Sequence, residues 1–226
     1  MTTYNLTSAA SSDVPIGITD PRALFARAVA LGGTVIEAVG PEQLADPTPC
    51  PELDVRHLLD HLVVVLERVG ALGRGEDPFA GPPSHLAVAD GEWRRAWADA
   101  ARSVEVAWSD DAALTRLVRL PWSELPGAAT LAGYLNEITV HTWDLAAATG
   151  QRPAWDPRVI KVAFDAIRQT LPAQGRAAMF AAAQQNLPEE LRTGSAPFGE
   201  VVEVASDAAP IDRLVAWNGR RPEGQP

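Results

Sequence analysis

Residues 130–150, TLAGYLNEITVHTWDLAAATG, carry the pattern from which the fold is predicted. Apolar side chains recur in this stretch at steps of three and four residues, which is the period of an amphipathic helix. Together with the stop signal of Gly150, the pattern predicts a helix from about Ala128 to Thr149. The stripe that would face a core comprises Leu131, Leu135, Ile138, Thr142 and Leu145.

A second and more polar stripe runs along the same predicted helix. Four residues turn an α-helix by about 400°, so Glu137 and His141 lie one above the other on this stripe. A carboxylate and an imidazole one turn apart can bind one metal ion, and helical bundles build metal sites from such inward-facing side chains. The same spacing also produces ordinary surface pairs, so it leaves both interpretations open. The polar stripe comprises Thr130, Tyr134, Glu137, His141, Asp144 and Ala148.

Several other segments show helical periodicity, and aspartates stand where these helices would begin. Aspartate can cap the first free N–H groups, and proline after it fits the first helical position. The first of these predicted helices begins at Asp20 and ends near Gly40, the second runs from Asp54 past Leu72, and the third covers about residues 89–108. After the helix that ends at Thr149, one more begins at Asp156 and a last one covers about residues 174–185. A short strand or extended arm is predicted for Leu114–Leu120, and a final turn around Ile211–Trp217.

The order of these elements predicts an all-α fold. Strands do not alternate with helices, which argues against a doubly wound sheet. Four long amphipathic segments favour a four-helix bundle with a short C-terminal extension of helix and irregular structure. We expect a flexible tail over residues 1–19, a bundle with a metal site over 20–173, and an extension over 174–226 that packs on the bundle. A homodimer is compatible with this architecture.

The composition and charge of the chain argue against some classes of binding partner. The chain has 226 residues with 19 Lys and Arg against 29 Asp and Glu, and its net charge of −10 argues against nucleic acid. The N-terminus lacks the basic start and apolar core of a secretory signal. The longest apolar run, Ala177–Ala183, is too short to cross a bilayer. We therefore expect a cytoplasmic protein that acts on a small molecule and has no membrane partner.

Histidine and cysteine are scarce, with four histidines and one cysteine in the chain. One cysteine excludes a multi-cysteine metal site. His57 and His61 lie one turn apart on the second predicted helix. One of them, together with Glu137 and His141, would give a set of two imidazoles and one carboxylate, which leaves positions open for water or substrate.

Several other residues can be explained by a structural role as well as by a functional one. Cys50 is expected to be a small buried side chain, and His85 an exposed loop residue. Asp144 either orients a ligand histidine or is an exposed helix charge. The three tryptophans of the third predicted helix are expected to be core residues: Trp93, Trp97 and Trp108.

Four segments of the chain resemble a known family. The sequences DPTPCPELDVRHLLDHLV (46–63), GRGEDPFAG (73–81) and LNEITVHTWDLAAATGQ (135–151) resemble the actinobacterial mycothiol-dependent maleylpyruvate isomerases, which belong to the DinB-like superfamily of metal-binding helical bundles. The segment 198–220 resembles the end of a subgroup known only as metal-binding proteins. The resemblance extends over about residues 20–220, and the run HTWDLAAATG is its most specific part.

The resemblance implies a ligand set for a divalent metal. It places the second-helix ligand on His61 and not on His57, with Glu137 and His141 as the other two ligands. Zinc is the metal that the family typically holds, and nickel, iron and manganese accept the same donors.

The resemblance also implies a chemistry. A metal-bound thiol is deprotonated, so a cosubstrate such as mycothiol would be activated for S-transfer or isomerisation of a small electrophile. Tyr134 could donate a proton and Arg68 could bind a substrate carboxylate, although Tyr134 could simply pack and Arg68 simply lie exposed. Two other functions stay open: a metal-dependent isomerase, cyclase or hydrolase without a thiol, and a noncatalytic metal-binding protein.

Overall fold

The structure, a computed structural model, describes residues 20–80, 88–120, 123–185 and 198–222. The predicted tail over 1–19 and the loop residue His85 therefore lie outside the described residues. The helices are α1 (Arg22–Glu37), α2 (Val55–Arg74), α3 (Trp93–Ala107), α4 (Asp111–Thr115), α5 (Gly127–Ala148), α6 (Pro157–Thr170), α7 (Arg176–Gln185) and α8 (Pro210–Trp217), and the strands are β1 (Leu117–Leu120) and β2 (Ser123–Pro126).

Two of the long helices begin where the sequence predicts. The Asp54 side chain accepts a hydrogen bond from the backbone N–H of His57 and caps α2, and Asp156 caps α6 in the same way. Side chains of this kind satisfy N–H groups that have no partner within the helix. The cap at Asp54 thereby sets where α2 starts, and hence which of its residues face the bundle.

A bundle of four helices forms the body of the protein. Helix α5 packs against α1 and α2, and α3 closes the bundle from the other side by packing on the same two helices. The apolar stripe of α5 is buried as predicted, and Leu131, Leu135 and Ile138 are almost completely excluded from solvent. Each such side chain contributes roughly 1.5–3 kcal/mol of transfer free energy to folding. The prediction of an all-α bundle with a C-terminal extension is confirmed.

The tryptophans of α3 belong to this core. Trp97 donates its indole N–H to the carbonyl oxygen of Val29, and Trp108 donates to that of Val69. Both side chains are buried, as is Trp93. The tryptophans thus join α3 to its neighbours, as expected from their spacing.

The segment predicted as a strand or extended arm over Leu114–Leu120 is divided between two elements. Its first residues end the short helix α4, and only Leu117–Leu120 forms a strand. This strand pairs in antiparallel register with β2, which the sequence analysis did not predict. The partner segment is short and carries Ser, Glu and Pro, so it lacks the alternation that marks a strand.

The C-terminal extension packs on the bundle through α8, which contacts α6 and α5. The side chain of Arg176 is fully buried there and donates hydrogen bonds to the carbonyl oxygens of Pro172, Gly199 and Trp217. These bonds tie the start of α7 to the end of α8. In the described part of the chain, none of the helices is long and apolar enough to cross a membrane.

The close approach of α5 to α4 requires a glycine at position 127, and this requirement can be tested. A Cβ atom at this position would lie 1.9 Å from the carbonyl oxygen of Ala113. We therefore expect Gly127→Ala to lower the free energy of unfolding by ~2 kcal/mol or more. Urea denaturation followed by circular dichroism measures the change.

The matched control for this substitution lies on the same helix. A Cβ atom at the exposed Gly133 would meet no atom within 4 Å. Gly133→Ala should leave the stability unchanged or raise it by ~0.5–1 kcal/mol, because alanine favours the helix. Equal effects of the two substitutions would contradict the packing argument.

Candidate metal centre

Helices α2 and α5 bring together His61, Glu137 and His141. The Nε2 atoms of His61 and of His141 both lie 3.4 Å from Glu137 Oε1. The two imidazole rings meet edge to face with their centroids 4.7 Å apart. One donor atom from each residue can be chosen so that all three lie within 4.8 Å of one another.

A buried carboxylate orients one of these rings. Asp144 Oδ2 lies 3.0 Å from Nδ1 of His141, and its side chain has no exposure to solvent. Because an ionised carboxylate only accepts hydrogen bonds, Nδ1 carries the proton and donates it to Asp144. In the neutral ring, Nε2 is then left with a free lone pair directed at Glu137 and His61. Metal-binding histidines are commonly oriented by a carboxylate in this way.

The same carboxylate binds a residue from the far end of the described chain. Arg220 donates from Nε to Asp144 Oδ1 at 3.1 Å and from Nη2 to Oδ2 at 2.9 Å. The arginine follows α8 and is itself buried. Sequence reasoning missed this contact, because no periodicity connects residues 76 positions apart.

The charges of the cluster are strongly coupled. Burial alone would raise the pKa of Glu137, but the charge of His141 and hydrogen bonds with both histidines hold it well below its usual value. Burial opposes protonation of His141, yet the charge of Glu137 and the hydrogen bond to Asp144 raise its pKa to about 9. Burial lowers the pKa of His61. In the absence of a cation, a proton on His141 therefore balances Glu137.

The cluster is open to solvent on one side. The side chains of His61 and Glu137 retain 20% and 24% of their exposure, whereas His141 retains 8%. The indole N–H groups of Trp93, Trp97 and Trp108 donate to Asp60, Val29 and Val69, and not to any of the three candidate ligands. The exposed part of the cluster is therefore on the side of His61 and Glu137.

The two predicted catalytic residues lie beside the cluster. Tyr134 is partly buried, and burial together with the charge of Glu137 raises the pKa of its hydroxyl to about 12. Arg68 is close enough for its charge to lower the pKa of both Tyr134 and His61. Its guanidinium group lies 5.0 Å from the centre of the Phe79 ring.

The remaining predicted candidates fall in different places. His57 is exposed, and its ring lies 2.6 Å from the capping carboxylate of Asp54, so it does not join the cluster. Cys50 lies closer to His141 than the sequence suggested. Its sulfur atom, one donor atom of His141 and one of Asp144 lie within 4.8 Å of one another. The sequence carries no periodic signal for this contact, because Cys50 lies in a proline-rich segment outside the predicted helices.

Two cavities lie away from the three candidate ligands. A cavity of about 270 Å³ is bounded by α1, α5 and the start of α6. A larger groove of about 920 Å³ follows α2 and α3, and Arg68 is one of its lining residues. None of the three ligands lines either of these two spaces, but Arg68, whose charge acts on His61, lines the groove.

A comparison with protein families assigns the first part of the chain to a known domain. Residues 25–146 match the model of the mycothiol maleylpyruvate isomerase N-terminal domain, which is slightly more than half of the chain. The chain belongs to this family. The match includes α2 and nearly all of α5 but ends before the C-terminal extension.

Two relatives are uncharacterized proteins of Mycobacterium tuberculosis, one from strain CDC 1551 and one from strain H37Rv. Each is 28% identical to this chain over 201 residues, covering 89% of this chain and 98% of the relative. No solved structure matches the chain.

The chemical state of Cys50 can be tested directly because the chain has one cysteine. Burial raises the pKa of its thiol to about 11. Since the thiolate is the reactive form, we expect iodoacetamide at pH 8 to label the native chain roughly 10- to 100-fold more slowly than a free thiol. The unfolded chain in urea is the control and should react at the free-thiol rate. Equal rates for the native and the unfolded chain would contradict a buried, protonated thiol.

Proposed function

We propose that this chain holds a divalent metal ion on His61, Glu137 and His141 and acts on a low-molecular-weight thiol of the mycothiol class. The reaction class is S-transfer to, or isomerisation of, a small electrophilic substrate. The observation that carries the proposal is the convergence of two imidazole nitrogens and one carboxylate oxygen, with the second nitrogen of His141 held by Asp144. Membership of the family supports the thiol in particular.

The donor set fits a divalent ion such as zinc. Donor atoms 2.0–2.2 Å from a tetrahedrally coordinated ion are about 3.4 Å apart. Both nitrogen-to-oxygen distances of the cluster have this value. Three protein ligands with one open side are typical of catalytic and not of structural zinc sites. Nickel, iron and manganese accept the same donors.

A bound divalent ion would lower the pKa of a thiol that coordinates it, which supplies the nucleophile for such chemistry. The chain's own residues provide the rest of the site. Once a cation takes the place of the second proton on His141, Asp144 would hold the neutral ring in the tautomer that leaves Nε2 free to bind it. The exposed side of His61 and Glu137 gives access to the cluster. The hydroxyl of Tyr134 is protonated at neutral pH and can donate a hydrogen bond to a reacting group, and its raised pKa of about 12 favours this role over transfer of the proton.

Arg68 is suited to binding the substrate. It lies between the cluster, whose pKa values it affects, and the groove along α2 and α3. Its planar guanidinium group can bind a carboxylate through two hydrogen bonds. We therefore propose that the groove takes the substrate and that Arg68 binds its acidic group. In this arrangement the bundle over residues 20–173 carries the metal site, and residues 174–226 support it.

The metal-binding part of the proposal predicts one tightly bound equivalent of zinc. Wild-type protein, stripped with chelator and reloaded, should retain about one zinc per chain after dialysis, as measured by mass spectrometry of the metal. His61→Ala and His141→Ala should each lose at least roughly 100-fold in affinity, because each removes a ligand. His57→Ala is the matched control, one turn away on the same helix, and should bind like the wild type. A wild-type chain that retains no metal would rule out the proposed function.

The thiol part predicts a spectroscopic change. Mycothiol added to the cobalt-substituted protein should produce a thiolate-to-cobalt charge-transfer band that saturates with the thiol. S-methylated mycothiol is the control and should produce none, since it cannot ionise. A cobalt spectrum that mycothiol leaves unchanged would refute the thiol and favour metal-dependent chemistry without it.

A further inference from the structure

We infer that Arg220 is a positioning residue of the metal centre. It fixes the carboxylate of Asp144, which fixes the ring of His141, so that the C-terminal extension helps to determine metal affinity. The inference rests on the proposed metal site. It concerns a residue that lies outside residues 25–146, the part of the chain that matches the family domain.

The contacts form a continuous chain of buried hydrogen bonds. Arg220 binds both oxygens of Asp144, at 3.1 and 2.9 Å, and one of these oxygens also accepts from His141 at 3.0 Å. The exposure of Arg220 is 5% and that of Asp144 is 0%. Two parallel hydrogen bonds from a planar guanidinium group define the plane of a carboxylate. The oxygen that faces His141 therefore has one orientation available.

Arg220 is itself held in place by the backbone around it. Its Nη1 donates to the carbonyl oxygen of Asn218 at 3.0 Å, and its backbone N–H donates to that of Val215 at 2.9 Å. Gly219 has a φ of 83°, which turns the chain after α8 back toward the bundle. Glycine adopts this left-handed conformation at low cost.

A second contact fixes the position of this turn on α5. The side-chain amides of Asn218 and Asn136 bind each other reciprocally, at 3.0 and 3.1 Å, and both are buried. Asn136 immediately precedes Glu137 on α5. The turn after α8 is thus attached to the metal-binding helix at two levels, through Asn136 and through Asp144.

Loss of Arg220 would free Asp144 to rotate and would leave a buried carboxylate with one partner. The ring of His141 would lose its fixed direction, and Nε2 would no longer converge on Glu137. Partners that orient metal ligands typically change metal affinity by about 10- to 100-fold when removed. A purely structural ion pair would instead lower stability and leave the affinity of the folded protein unchanged.

The experiment measures zinc affinity by chelator competition, with thermal unfolding of the metal-free protein measured in parallel. We expect Arg220→Gln to weaken zinc binding by about 10- to 100-fold, Asp144→Asn to have a similar effect, and the double variant to be no weaker than the single ones. The visible spectrum of the cobalt form should change in Arg220→Gln, which reports the ligand geometry independently of activity.

Arg176→Gln is the matched control, because Arg176 is a buried arginine of the same extension whose side chain donates hydrogen bonds to three backbone carbonyls, away from the three candidate ligands. It should lower the unfolding temperature and leave zinc affinity unchanged. If Arg220→Gln fails to fold, Arg220→Lys replaces it, since lysine keeps the charge but not the paired hydrogen bonds, and a smaller loss of affinity is expected.

The outcomes separate this inference from the proposed function. Wild-type zinc affinity in Arg220→Gln, or in Arg220→Lys where that variant carries the test, would overturn the positioning role alone. Absence of zinc binding in the wild type would overturn the proposed function and this inference with it. An equal loss of affinity in Arg176→Gln would show a general effect of the extension and would also overturn the role of Arg220.

Discussion

The carboxylate of Asp144 is the constraint on which the site depends. It has no exposure to solvent, yet it carries a charge that Arg220 and His141 stabilise from two sides. A buried charge without partners would cost several kcal/mol, so the three side chains must come together whenever the protein is folded. Since they belong to α5 and to the turn after α8, the requirement for a paired charge connects the middle of the bundle to its C-terminal extension.

The bundle positions the other side of the site by simpler means. The cap at Asp54 determines where α2 begins, and seven residues later the helix presents His61 to α5. Buried leucines on both helices keep the two faces together. Glu137 then lies within 3.4 Å of both imidazoles, and all three side chains belong to helices. Sites held on helices in this way keep their geometry more rigidly than sites on loops.

The sequence was most informative where a periodic pattern fixes neighbours. The period of α5 placed Glu137 and His141 on one face, and the capping residues located the long helices. The contacts of Asp144 with His141 and Arg220 could not be predicted in this way. From the sequence alone, Asp144 could equally orient a ligand histidine or be an exposed charge on the helix. The Arg220–Asp144 contact joins residues 76 positions apart, and the Asn136–Asn218 contact joins residues 82 positions apart. Helical periodicity carries no information about partners that are so far apart in the sequence. Strand β2 was not predicted for another reason, because its four residues lack the alternation of apolar and polar side chains that marks a strand.

The position of Arg220 in the chain has a consequence for biosynthesis. A ribosome makes all four bundle helices before it makes this arginine, and domains begin to fold as they emerge. A nascent chain that has completed its bundle therefore contains Asp144 as a carboxylate with His141 as its partner and without Arg220. The hydrogen bonds between Arg220 and Asp144 can form only after the turn that follows α8 has been synthesised and has docked, so the contacts of Asp144 are completed last.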